Sequence, residues 1–196
     1  MDRDEELTLE NLKLCRSIID PIIDKYHGRI FYTAGDSVIA DFESPVSSVN
    51  AAIEFQKTIL KRNNTIKNDI KLVWRVGIHL DDVIIEGNNI FGTGVNIAAR
   101  LEAACSPGQI LISGAVKEQV INKISTNIED AGTKVLKNIS SSYQTFGISP
   151  SGEDIVKTNA KEYAKNKKIK SYKPKLAVMP FSNINNDEEA SYLVDG

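Results

Sequence analysis

Two glycines set just ahead of an amphipathic helix constrain this 196-residue chain more than any other stretch. Residues 91–102 read Phe-Gly-Thr-Gly-Val-Asn-Ile-Ala-Ala-Arg-Leu-Glu. A helix over this run puts Asn96 and Arg100 four apart, one above the other on a single face. Ile97, Leu101 and Ala104 form a different face, suited to a core. Arg carries a rigid fork of donors that matches phosphate, and an Asn amide can hydrogen-bond a sugar. Gly92 and Gly94 allow a close backbone approach just before the helix begins. An isolated Asn/Arg pair at this spacing is ordinarily a solvated surface pair, so the surrounding sequence has to decide.

The pattern around it alternates helices and strands. Leu12, Cys15, Ile19, Ile22 and Tyr26 recur at steps of three or four and predict a helix over 8–26, with a kink or restart at Asp20-Pro21. Residues 29–33 and 37–42 predict two short strands joined through Ala34-Gly35-Asp36, where the Asp is by default a turn residue. Ser44 and Pro45 predict an N-cap and first position of a second helix, with Val46, Val49, Ile53 and Leu60 inward and an end near Asn63-Asn64. Residues 71–81 form the clearest strand: Leu72, Trp74, Val76, Ile78 and Leu80 on one face, Lys71, Arg75, His79 and Asp81 on the other. That strand is expected to run on towards Ile85 and turn at residues 86–89. His79 reads as structural, because no second His or Cys stands at ligand spacing. Beyond the Asn96/Arg100 helix, Ser106-Pro107-Gly108 predicts a turn, 109–112 a strand, and Ser113 the cap of a helix to about Ile121. Residues 128–139 and 143–148 predict a closing strand pair around Lys137-Asn138. This order fits an α/β sandwich with a mixed sheet and helices on one side.

Composition bounds the partners. A net charge of −2 gives no bulk attraction to nucleic acid or an anionic membrane. No apolar run approaches the roughly 20 residues of a membrane-spanning helix, and the acidic start Met-Asp-Arg-Asp-Glu-Glu lacks signal-peptide character. Cys15 and Cys105 sit in helical patterns without metal-ligand spacing, which suits small buried hydrophobes and a reducing, cytoplasmic setting. Residues 150–174 are lysine-rich with little apolar periodicity and read as a solvated linker.

Taken together, Arg-Val-Gly-Ile-His-Leu at 75–80 and Ile-Phe-Gly-x-x-Val-Asn-Ile-Ala-Ala-Arg-Leu-Glu at 90–102 resemble the class III adenylyl/guanylyl cyclase catalytic domain. Thr-Ala-Gly-Asp-Ser-Val-Ile-Ala-Asp-Phe at 33–42 resembles the Gly-Asp hairpin of the same family. The resemblance covers residues 1–149 and implies a ferredoxin-like α/β sandwich that converts a nucleoside triphosphate to a 3′,5′-cyclic monophosphate and pyrophosphate. It implies two divalent cations, Mg²⁺ or Mn²⁺, with Asp36 as the one identifiable ligand. It assigns ribose orientation to Asn96 and α-phosphate charge stabilisation to Arg100. It extends the nucleotide-contacting set to Tyr32, Asn89, Gly92, Gly94 and Lys137. It also implies a head-to-tail homodimer, in which one protomer's Asp36 works with its partner's Asn96 and Arg100.

The sequence departs from the family pattern at three places. The family's opening strand, which bears the first metal-binding Asp, has no counterpart after Met1, and its loss is expected to expose two strand edges. Asp2, Asp4, Glu5 and Glu6 are expected to precede a helix. Tyr32 stands where adenylyl cyclases of the family carry a Lys, and Asn89 where they carry an Asp. The guanine-selecting Glu and Cys are absent too, so ATP is the expected substrate ahead of GTP. Residues 175–196, beginning Lys-Leu-Ala-Val-Met-Pro-Phe, resemble the strand that opens a TolB-like domain and are expected to be poorly ordered or opportunistically docked. Two further readings stand beside the enzyme. One is an inactive cyclase-homology fragment that dimerises or binds nucleotide, and the other is a ferredoxin-like response module for a different phosphate ligand.

Overall fold

The computed structural model describes residues 2–32, 37–66, 71–136, 141–150 and 177–179, with 2–6, 32 and 177–179 described through backbone alone. Helix α1 spans Asp2–Lys25 and contains Pro21. The predicted restart at Asp20-Pro21 does not occur. Pro21 faces solvent, where the carbonyl left by its missing N–H can be hydrated, while Ile19, Ile22 and Ile23 hold the same turns in the core. Asp20 does not cap; its carboxylate takes both 2.7 and 2.9 Å bonds from the Arg16 guanidinium one turn earlier. The acidic residues 2–6 belong to α1 itself.

Strands β1 (Gly28–Tyr32) and β2 (Val38–Phe42) pair antiparallel, as the hairpin pattern predicts. Helix α2 (Pro45–Thr65) begins as predicted, with the Ser44 hydroxyl oxygen accepting from the Val46 N–H at 3.2 Å. Its inward face includes Val49, Phe55 and Ile59; Leu60, predicted inward, is 45% exposed. Lys25 and Tyr26 at the end of α1 both donate to the Glu54 carboxylate, at 2.8 and 2.7 Å, fixing α1 on α2.

The long strand predicted over 71–81 is reduced to β3 (Val76–Ile78). Ahead of it, backbone carbonyls are occupied by other partners. Asn63 donates to the Leu72 carbonyl at 2.7 Å, and Gln56 donates to that of Trp74 at 2.9 Å. Trp74 also accepts from the Gly108 N–H at 2.8 Å, in the predicted 106–108 turn where Gly108 adopts a φ of 78°. Polar α2 side chains and a turn therefore take the place of a neighbouring strand. Beyond β3 the chain leaves the sheet. Strands β4 (Ile84–Glu86) and β5 (Asn89–Phe91) form a separate antiparallel ribbon. Helix α3 (Thr93–Ala103), β6 (Ile110–Ser113), α4 (Gly114–Val120), β7 (Glu129–Val135) and β8 (Ser142–Ile148) follow in the predicted order.

The last described element is β9 (Ala177–Met179), which lies inside the sheet. The strand order is β1-β2-β9-β3-β6-β8-β7. The β3/β6 pair is parallel and the others are antiparallel, so the sheet is mixed. The two edges expected to stand open are here paired with β9.

Helices cover both faces of this sheet, against the expectation of one. Ile110 and Ile112 of β6 join the large core that includes residues of α1, α2 and α4, while Leu111 between them packs with Ile97 and Leu101 of α3. Gly77 is the contact point of the α3 face. A Cβ there would collide with the backbone of α3 at the Ala98 carbonyl and the Glu102 N–H. Because rigid backbone cannot give way, Gly77→Ala is expected to cost about 3 kcal/mol, the upper end for overpacking. Urea unfolding measures it, and a loss near zero would show that α3 does not sit this close.

Candidate active site

The two glycines of the 91–102 stretch make close contacts within the chain itself. Gly92 has a φ of 142°, which disfavours a side chain. A Cβ on Gly94 would lie 2.5 Å from that of Asp81. The N-terminal turn of α3 is thus laid directly on residues 81–83, with Gly94 required by the contact with Asp81 and Gly92 by its backbone conformation. No side chain caps α3, and the Asp81 carboxylate lies against its first turn.

Asn96 is exposed and Arg100 half-buried on the outward face, while Ile97, Ala98 and Leu101 are 2%, 0% and 0% exposed beneath them. Ala98 takes the inward position expected of Ala104, which is exposed. A buried neighbour handles the other charge on the helix. Glu102 Oε1 lies 3.0 Å from Arg75 Nε, so α3 covers the Arg75 side of the chain at this point. The Arg100 guanidinium makes no hydrogen bond or ion pair among the described residues, while its carbonyl accepts from the Ala104 N–H at 3.1 Å.

An apolar cluster gathers the remaining candidates. Ile90 and Ala98 pack with Phe31, Ile39, Ile85, Val95 and Ala99. Tyr32, Asn89, Asn96 and Arg100 are each the immediate sequence neighbour of a residue in this cluster. Leu136, which precedes Lys137, packs on Ile97 and Leu101. Asp36 and Lys137 themselves lie outside the described residues, as does the side chain of Tyr32. No three His, Cys, Asp or Glu side chains converge among the described residues to hold a metal ion.

Ser113 and His79 combine in a way the sequence did not signal. Ser113 precedes α4 without bonding its backbone; its hydroxyl lies 2.9 Å from His79 Nδ1 in a buried contact. Tyr143 packs edge-on against the imidazole at 5.7 Å. Burial pushes the His79 pKa down, opposed in part by the Asp81 carboxylate. The imidazole is therefore structural and neutral, as read from the sequence.

These elements define a class of protein: a mixed-sheet α/β domain that presents an Asn/Arg pair on a glycine-led helix. Residues 3–150 match the family described as adenylate and guanylate cyclase catalytic domain. The chain is 33% identical over 198 residues to the Rhizobium meliloti (strain 1021) protein called "Putative adenylate cyclase 3", covering 100% of this chain and 33% of that protein. The chain thus spans about a third of that relative's length. An adenylate/guanylate cyclase/hydrolase structure from Silicibacter pomeroyi superposes with a TM-score of 0.67 at 33% identity, covering 72% of this chain and 85% of that one. The adenylyl cyclase CyaB from P. aeruginosa shares the fold, with a TM-score of 0.60 at 22% identity and coverage of 79% and 86%. The chain belongs to the class III nucleotidyl cyclase family.

The neutral His79 yields a pH test. Unfolded, the residue titrates near its ordinary 6.5; folded, it titrates lower. As pH falls through 6.5 towards the folded value, the unfolded state takes up a proton that the native state refuses, so stability declines. Unfolding free energies at pH 7.5 and 5 are expected to differ more in the native protein than in His79→Asn. Equal differences would mean that the imidazole is solvated.

Proposed function

We propose that this chain is a protomer of an adenylate cyclase that forms 3′,5′-cyclic AMP and pyrophosphate from ATP in intracellular signalling. The observation that carries this reading is the Asn96/Arg100 face of α3. It presents an amide and a guanidinium outward, one helical turn apart, and the guanidinium has no partner among the described residues. In the reaction the ribose 3′-oxygen attacks the α-phosphorus, the 3′-proton is lost, and the bond to the pyrophosphate oxygen breaks. Asn96 orients the ribose, and Arg100 meets the negative charge that grows on the α-phosphate oxygens. Lys137 adds a positive charge that suits a phosphate. Asn89 both donates and accepts, which suits an adenine edge, and Tyr32 closes the base side.

Asp36 would supply a carboxylate to a divalent cation. The family resemblance and the outward aim of Asn96 and Arg100 favour a head-to-tail homodimer whose sites draw on both protomers. Ile84, Phe91 and Val135, exposed by 63%, 49% and 83%, give that pairing an apolar margin. No helix among the described residues is long and apolar enough to cross a membrane, and a cytoplasmic setting fits the two free, buried cysteines.

One observation favours a second reading, an inactive module that binds nucleotide or only dimerises. The strand between β2 and β3 is Ala177-Val178-Met179, which carries no carboxylate to join Asp36. Cyclic nucleotide formation from ATP or GTP with Mn²⁺ separates the two. Cyclic AMP favours the enzyme, and a folded, dimeric but silent chain favours the module.

For the enzyme, Arg100→Ala is expected to lower kcat about 100-fold, the cost of removing a group that meets transition-state charge; an unchanged kcat would remove Arg100 from the mechanism. Mixing Asp36→Asn with Arg100→Ala protein is expected to recover activity at about one site per dimer, since one interface then holds both intact residues. No recovery would argue against shared sites.

A further inference from the structure

The sheet is continuous only because a strand from beyond residue 150 runs through it. On one side of β9, Ala177, Val178 and Met179 oppose Ala40, Ile39 and Val38 of β2. On the other, Val178 opposes Gly77 of β3. Among the described residues, β2 and β3 are not paired with each other, so β9 is the only backbone link between the β1-β2 hairpin and the β3-β6-β8-β7 block. With β9 in place, the core-facing side chains of the two flanking strands are fully shielded. Val38, Ala40, Val76 and Ile78 are all 0% exposed. An empty slot would leave two rows of backbone N–H and C=O groups without strand partners, each costing about 1–3 kcal/mol where water does not reach it.

We propose that residues 177–179 are an integral strand of this domain, and that the slot between β2 and β3 is a strand-binding groove filled in cis by the chain's own distal segment. The groove takes an extended segment that runs antiparallel to both neighbours. Connectivity permits this occupant. Ile148 ends β8, three strand positions from β9, a lateral distance of roughly 14 Å at the usual spacing. The intervening residues 149–176 could extend to about 90 Å, so reach does not limit the return. The pairing has a consequence for the hairpin. Met179 opposes Val38, two residues after Asp36, while α3 packs on Gly77 in the strand on the other side of β9. The strand therefore sets the spacing between the hairpin and the helix bearing Asn96 and Arg100.

The test uses the full chain and Val178→Pro. Proline removes the Val178 N–H and cannot occupy the middle of a sheet. Amide hydrogen exchange at residues 38–40 and 76–78 is expected to quicken about tenfold or more, because the neighbours lose a cooperative partner, and Tm is expected to fall. Outright failure of the variant to fold has the same meaning, since proline in a segment outside the fold is silent. Unchanged exchange and Tm would overturn the proposal.

A second measurement leaves the strand intact. A protease site is introduced between residues 160 and 165 and cut after folding. The 166–196 piece is expected to co-elute with the body, and a synthetic peptide of residues 173–183 to displace it, whereas the same peptide with Val178→Pro does not. Release of the piece with the 38–40 amides still protected would overturn the assignment. So would protection that falls on dilution of the uncut chain, which would give the strand to a second copy.

Discussion

The close approach of α3 to β3 at Gly77 is the contact on which the candidate site depends. The missing side chain lets helix backbone and strand backbone meet directly. That contact fixes the height of α3 above the sheet, while Gly94 against Asp81 fixes its N-terminal end. With both ends seated, Ile97, Ala98 and Leu101 are driven into the fold, and Asn96 and Arg100 can only point away from it. The outward pair is thus a product of packing beneath it. The Arg75–Glu102 ion pair closes the same interface, so Arg75, just ahead of β3, and Glu102 of α3 neutralise one another at 3.0 Å.

A second theme is the use of side chains where a strand ladder would be expected. Asn63 and Gln56 on α2 bind the carbonyls of Leu72 and Trp74, and Ser113 turns from its helix to His79. Each of these residue types has a strong local reading in sequence. Asn marks helix ends, Ser before a helix marks a cap, and alternating apolar residues mark a strand. In each case a tertiary partner outcompeted the local one. Buried backbone groups must be satisfied, and whichever donor the packing brings closest does so.

The sheet itself shows how far an element can be from its sequence neighbours. β9 enters between two strands more than 100 residues earlier, and no periodicity in residues 175–181 indicates which edges it would join. The family resemblance places another strand in this region of the fold, one bearing a carboxylate. The chain instead shows Ala-Val-Met there, and this is the feature on which the choice between an active and a silent domain turns.

By itself the sequence determined the class of fold, the order of most of its elements and the helix on which Asn96 and Arg100 stand one turn apart. Those depend on short-range patterns: the period of apolar residues, the Ser44-Pro45 start of α2 and the wording of residues 90–102. Only the tertiary structure decided that helices cover both faces, that β3 is short, and that Gly92 and Gly94 are spent on contacts with residues 81–83. It alone decided that the slot between β2 and β3 is filled by residues 177–179. The physical reason is common to all four. Each depends on which backbone lies against which at long sequence separation, and a local pattern states only that a face is apolar or a backbone permissive, never what will cover it.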